Sequence, residues 1–176
     1  MGGPADETLI FESRFECGNL RRAVQTGPHE YDLILKTDYN TSNITQWFYF
    51  RVTNMRRHTK YRFNIINLVK PDSLYNEGMR VAMYSQKDVK VTGVGWRRVG
   101  SDISYFQNQS KRRNGAFHYT LTYTLQFPYE GDTAYFAHCF PYSYTDLVRY
   151  LTRLAVPENR NIVRKVTLAK TTAGNK

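Results

Sequence analysis

Cysteine, apolar length and catalytic spacing are the things this chain has little of. Cys17 and Cys139, its only two cysteines, lie far apart and form neither a disulfide framework nor a zinc-ligand spacing, which fits a reducing compartment. No run approaches the roughly 18 apolar residues that a membrane span needs, so no membrane partner is expected. The opening MGGPADET has no apolar signal core; residues 1–7 read as a cloning remnant or disordered leader, and the expected location is cytoplasmic. Asn40-Thr-Ser, Asn43-Ile-Thr and Asn108-Gln-Ser match the glycosylation pattern but carry no weight without a signal. The four histidines fall outside any HxxE, HExxH or CxxC pattern; His138 adjoins Cys139, but neighbouring strand residues point to opposite faces. No serine sits in a G-x-S-x-G elbow, Gly93-Val-Gly95 with Gly100 matches G-x-G-x-x-G poorly, and no Walker A pattern occurs. The expectation is a chain with no catalytic residues, metal or cofactor of its own.

Aromatic residues, by contrast, are abundant. They make up 15% of the 176 residues, with 14 Tyr and 10 Phe, which excludes a disordered chain and favours sheets. From Phe117 to Phe127 the alternation is strict. Phe117, Tyr119, Leu121, Tyr123, Leu125 and Phe127 share one face, and His118, Thr120, Thr122, Thr124 and Gln126 the wetter other. Further strands are predicted at 8–12, 20–26, 30–37, 81–84, 96–99 and 103–106, the last two about a Gly-Ser-Asp turn. Residues 46–53 and 60–68 read as a hairpin with a basic loop, 38–43 as a turn, 86–91 as a helical turn ended by glycines, and 111–115 (KRRNG) as a charged hairpin turn. Residues 133–140 predict a buried strand stopped by Pro141. Ser143 and Asp146 then form a capping pair for an amphipathic helix carrying Leu147, Leu151 and Leu154. The sum is an all-β, antiparallel β-sandwich over residues 8–156 with one C-terminal helix. Residues 157–176 read as a linker and the start of a second domain, with a β-like run at Ile162, Val166 and Leu168.

The formal net charge is +10, which attracts polyanions. Arg56 and Arg57 lie in one loop and Lys111, Arg112 and Arg113 in another turn; if they converge on one face, an acidic peptide or nucleic acid could dock there. Nucleic acid is the weaker partner, because the aromatics alternate as core residues do. An independent basic binding module is the alternative reading of the whole chain.

Several blocks carry a resemblance: FESRFECGNL (11–20), QWFYFRV (46–52), YRFNIINLVKPDSLYNEGM (61–79), GWRRVGSDISYF (95–106) and FAHCFPYSYTDL (136–147). In this order they resemble the N-terminal domain of the cytosolic carboxypeptidases, zinc enzymes that trim glutamates from tubulin tails. TLAKTTAGN (167–175) resembles the segment leading into the catalytic domain, with Ala169 where a cysteine is usual. The resemblance implies an accessory β-sandwich before an α/β catalytic domain that holds the zinc, its ligands and the general base beyond residue 176. It implies as partners that catalytic domain and tubulin or other glutamate-rich tails, and a location extending to microtubules or cilia. Pro141, Tyr142, Ser143 and Tyr144 are then candidates for packing against the catalytic domain near its entrance.

Overall fold

Ten strands and two helices order the chain in the computed structural model, which describes residues 7–41 and 44–175. The leader (residues 1–6), and Ser42 and Asn43 of the 38–43 turn with the Asn43 glycosylation pattern, lie outside the described residues. The first sheet runs β1(Ile10–Glu12)-β4(Tyr49–Thr53)-β10(Ala134–Ala137)-β6(Val81–Ser85)-β7(Trp96–Val99), and the second β2(Leu20–Gly27)-β3(Glu30–Leu35)-β5(Lys60–Leu68)-β9(Phe117–Gln126)-β8(Ser101–Lys111). The expected sandwich is therefore present. One pairing departs from antiparallel: β3 and β5 run parallel, because the chain crosses to the first sheet between them. Asn67 extends that pairing with its side chain, accepting from Leu35 N at 2.8 Å and donating to Leu35 O at 2.9 Å.

The same crossing corrects two expectations. Residues 46–53 and 60–68 do not form a hairpin, since β4 and β5 belong to different sheets. The loop between them drops Met55 into the core and turns at Asn54 and His58, both at positive φ. Likewise β7 and β8 do not pair: Gly100 (φ 103°) and Asp102 (φ 50°) make a corner from one sheet to the other. The charged turn after Lys111 does close a hairpin, β8–β9, and the helical turn is α1(Gln86–Thr92), capped by Ser85 and ended at Gly93.

Phe136 is the centre of the core. Its ring lies 5.6 Å from Phe50 and Phe63, 6.0 Å from Phe127 and 6.4 Å from Tyr123, so both sheets meet on it. On β9 the aliphatic and aromatic face from Leu121 to Phe127 is buried as expected, but Thr120 and Thr124 on the opposite face are buried too. That strand lies between β5 and β8, and their side chains shade it: Asn108 donates to Thr120 Oγ1 at 2.9 Å, and Asn64 accepts from Thr122 Oγ1 at 2.6 Å.

Near the end, β10 covers only Ala134–Ala137 of the predicted 133–140, so the chain leaves the sheet before Pro141. Helix α2(Tyr144–Leu154) follows, and Pro157–Asn159 make a short 3-10 turn. The β-like run at 162–168 forms no strand among the described residues; with no neighbouring strand to accept its hydrogen bonds, alternation alone does not make one.

Candidate functional site

Strand β4 places aromatic side chains on both of its faces. Phe48 and Phe50 enter the core, while Trp47 and Tyr49 turn outward. Cross-strand register sets Glu12, Arg51, Tyr135, Tyr84 and Trp96 side by side across the outside of the first sheet. In the next row Tyr49, Ala137, Ala82 and Arg98 line up. The two alanines present no bulk, the Tyr49 and Trp96 rings from either side approach to 5.9 Å of each other, and both alanines are fully buried although they face outward. Phe15 adds a ring 4.9 Å from Tyr49 and 5.8 Å from Tyr135. These rings remain half-buried. They line a concavity of about 800 Å³, walled by Glu12, Arg14, Glu16 and the start of α2.

The wall carrying Phe15 depends on a tight turn. Cys17 has a φ of 64°, and a Cβ on Gly18 would collide with the Ser13 carbonyl. Trp47 Nε1 donates to Cys17 O at 2.8 Å and Asn19 exchanges side-chain hydrogen bonds with Trp47 O and Tyr49 N, which fixes the turn on β4. Glu16 can then reach the helix, accepting from Thr145 N at 2.9 Å.

The predicted capping pair is present: Ser143 accepts from Asp146 N at 3.1 Å while Asp146 accepts from Ser143 N at 3.0 Å. Hydrogen bonds from Thr145 hold the Glu16 carboxyl below its ordinary value, and those from Ser143 do the same for Asp146. The helix beyond is strongly amphipathic, with Tyr144, Leu147, Val148, Leu151 and Leu154 on one side, yet none of its residues is buried. Phe140, Tyr142 and Tyr144 are exposed as well, Tyr142 at 64%. Pro141, Tyr142, Ser143 and Tyr144 thus bridge an open aromatic sheet face and an open helix face.

Charge inside the concavity is unevenly matched. Arg14 is bound to Glu12 through two guanidinium nitrogens, which lowers the Glu12 carboxyl to about 2. Glu16 and Asp146 serve the helix. Arg51 lies between Glu12 and Tyr135, half-buried; its side chain has no hydrogen-bond or ion-pair partner among the described residues, and its Nε is buried and unsatisfied.

The basic candidates do not converge. Arg57 pairs with Phe127 beyond one end of β9 and Lys111 with Phe117 at the other, about 30 Å away at strand spacing. Arg56 faces Glu130 at 2.6 Å and Glu7 at 3.7 Å, Lys111 lies over the Phe117 ring, and Arg113 is exposed in the turn with Arg112. At the far end of β10, His138 Nδ1 meets the Tyr75 hydroxyl at 3.2 Å, and burial lowers its pKa. Among the described residues no cluster of His, Cys, Asp or Glu is arranged to hold a metal ion, and no helix is long and apolar enough to cross a membrane.

The outer aromatic row and Arg51 escape an alternation reading that assigns aromatics to the core. The signal was present in Trp47-Phe48-Tyr49-Phe50 and Ala134-Tyr135-Phe136-Ala137, where consecutive large residues must face both ways.

Comparison with known proteins adds the family. The chain is 51% identical over 176 residues to "Cytosolic carboxypeptidase 2" of Macaca fascicularis and 50% identical to that of Homo sapiens. These matches cover 99% of this chain but 21% and 19% of those relatives, so the chain spans about a fifth of their length. Its fold is similar to a metallo-carboxypeptidase from Burkholderia cenocepacia, with a TM-score of 0.63 and 21% identity over 96% of this chain and 38% of that one. Residues 11–139, from β1 through β10, match the family described as "Cytosolic carboxypeptidase N-terminal domain", and the chain belongs to that family.

Proposed function

We propose that this chain is the non-catalytic N-terminal accessory domain of a cytosolic zinc carboxypeptidase that removes glutamates from tubulin tails. It assists folding, interdomain packing and substrate docking, in the cytoplasm and at microtubules or cilia. The zinc and its chemistry belong to a catalytic domain within the four-fifths of the relatives' length that this chain does not span. The observation that carries the reading is α2: an amphipathic helix, capped at its start, in which no residue is buried. An apolar stripe of this kind gains most of its stability when another surface covers it. Pro141, Tyr142, Ser143 and Tyr144, beside it, are the proposed first contacts with the catalytic domain.

The test is glutamate release from a glutamate-chain peptide by the zinc-loaded full-length protein, with and without Tyr142→Ala and Tyr144→Ala. The double variant should lower activity and thermal stability together while its sandwich stays folded. Unchanged activity and unchanged interdomain stability would sink the packing role, and no glutamate release by the unmodified protein would sink the deglutamylase reading.

The alternative, an independent basic module for nucleic acid or other polyanions, has less support. Its two charge clusters lie at opposite ends of β9, and Arg56 is already matched by acidic neighbours.

A further inference from the structure

We infer, resting on the accessory-domain reading above, that the aromatic outer face of the first sheet is the seat of the carboxypeptidase domain and that Arg51 receives a carboxylate from it. The interdomain surface then extends well beyond Pro141–Tyr144.

Three observations lead there. The outer rings of Tyr49, Tyr135 and Trp96 form one apolar floor that Phe140 extends, 6.4 Å from Trp96, and the start of α2 borders the same concavity through Pro141, Ser143 and Asp146. Two adjoining apolar faces that both lack cover are most simply covered by one body. About four-fifths of the relatives' length lies outside the matched segment, which supplies that body.

Arg51 narrows what the body must present. Its neighbour Glu12 is held by Arg14, and the nearby Glu16 and Asp146 carboxylates are engaged with Thr145 and Ser143. Covering the floor with apolar surface alone would strand a guanidinium away from water, which is strongly unfavourable. A carboxylate on the incoming domain removes that penalty and fits the guanidinium fork with two parallel hydrogen bonds. The same charges disfavour a glutamate-rich tail as the occupant. Such a tail would meet Glu12, Glu16 and Asp146 in the concavity, three carboxylates against Arg14 and Arg51. A single carboxylate suits the site; a polyanion does not.

Hydroxyl-radical footprinting of the full-length protein beside the 176-residue chain tests this. Trp96 and Tyr135 should label several-fold more slowly in the full-length protein, together with Leu147, Val148 and Tyr150 of α2. Arg51→Gln should weaken the seating by at least about thirtyfold, the lower end of the loss when one partner of a buried charge pair is removed, and restore labelling of Trp96 and Tyr135. The same substitution should leave unfolding of the 176-residue chain unchanged. Protection of α2 without Trp96 and Tyr135 would overturn the seat and leave the accessory-domain reading standing. Protection of neither would remove both. Protection that survives Arg51→Gln would overturn the carboxylate. Protection that appears in the 176-residue chain alone and grows with concentration would assign the face to a second copy and overturn the proposal.

Discussion

The two faces of the first sheet are built by the same strands from similar residues, and they end in different states. Inward, Phe48, Phe50 and Phe136 are fully buried and closed off by the second sheet. Outward, Tyr49, Tyr135 and Trp96 touch one another over a pair of alanines but stay half open. Alternation decides which way a side chain points; it says nothing of how many layers the sheet belongs to. A strand with large residues on both faces is the pattern of a sheet covered on both sides, and among the described residues only the inner side is fully closed.

The sharpest way to break that comparison is at two adjacent residues. Phe136→Ala empties the point where both sheets meet and should destabilise the 176-residue chain by about 3–5 kcal/mol. Tyr135→Ala, one position away on the half-open face, should cost about 1–2 kcal/mol, the loss of a partly buried ring and its contacts with Phe15 and Tyr49. Urea unfolding of both variants measures the difference. Equal losses would mean that the outer face is already a core.

A second contrast, smaller in effect, compares two carboxylates in one loop. Asp132 is 3% exposed; it accepts from the Ser85 hydroxyl, from Lys87 N at 3.0 Å and from Thr133 N at 2.6 Å, tying the start of α1 to β10. Asp132→Ala leaves those donors without a partner and should cost about 1–3 kcal/mol. Glu130, paired with Arg56 on the surface, should cost less than about 1 kcal/mol when replaced by alanine. Thermal unfolding ranks them. A Glu130 loss as large as that of Asp132 would show that the surface pair, rather than the buried tie, holds this loop.

The third contrast is between sandwich and helix. Ser143→Ala removes the α2 cap and should weaken the helix by about 1 kcal/mol. Because no residue of α2 is fully buried, far-UV helical signal should fall while the urea midpoint of the sandwich stays in place.

Much of this architecture was legible in the residues. The period-2 run at 117–127 located β9, β-rich runs located β3 and β5, and Ser143 with Asp146 marked the helix start, because those signals are local. The pairing of strands was less legible. Residues 46–53 and 60–68 look like a hairpin only if the chain stays in one sheet, and no local residue announces that Met55 will carry it across the core. The candidate site was half legible for the same reason. Pro141–Tyr144 stand out as a break in pattern, whereas Arg51 becomes notable only when β1 and β10 bring Glu12 and Tyr135 beside it. The basic clusters show the same limit, since nothing local in Arg56-Arg57 or in Lys111-Arg112-Arg113 tells that they lie at opposite ends of β9.

The smallest expected effect tests whether α2 responds to acid independently of the sandwich. Glu16 and Asp146 are both held below their ordinary values of 4.5 and 3.8 by the hydrogen bonds they accept at the start of the helix. A carboxyl whose pKa is depressed by folding stabilises the folded form above its ordinary value, and that contribution is lost as the pH falls through the folded one. The attachment of α2 should therefore be complete at neutral pH and weaken as the pH drops below 4.5 and then 3.8. Glu12, lowered to about 2 by Arg14, remains ionised through most of that range, so the adjoining wall of the concavity keeps its ion pair while the helix loses its carboxylate hydrogen bonds. Circular dichroism from neutral pH downward should show helical signal declining before the near-UV signal of the packed aromatics. Glu16→Gln and Asp146→Asn together should remove the pH dependence and leave the helix uniformly weaker. If the far-UV and near-UV signals instead fall together, α2 unfolds with the sandwich, and the division between a closed core and an open docking edge is wrong.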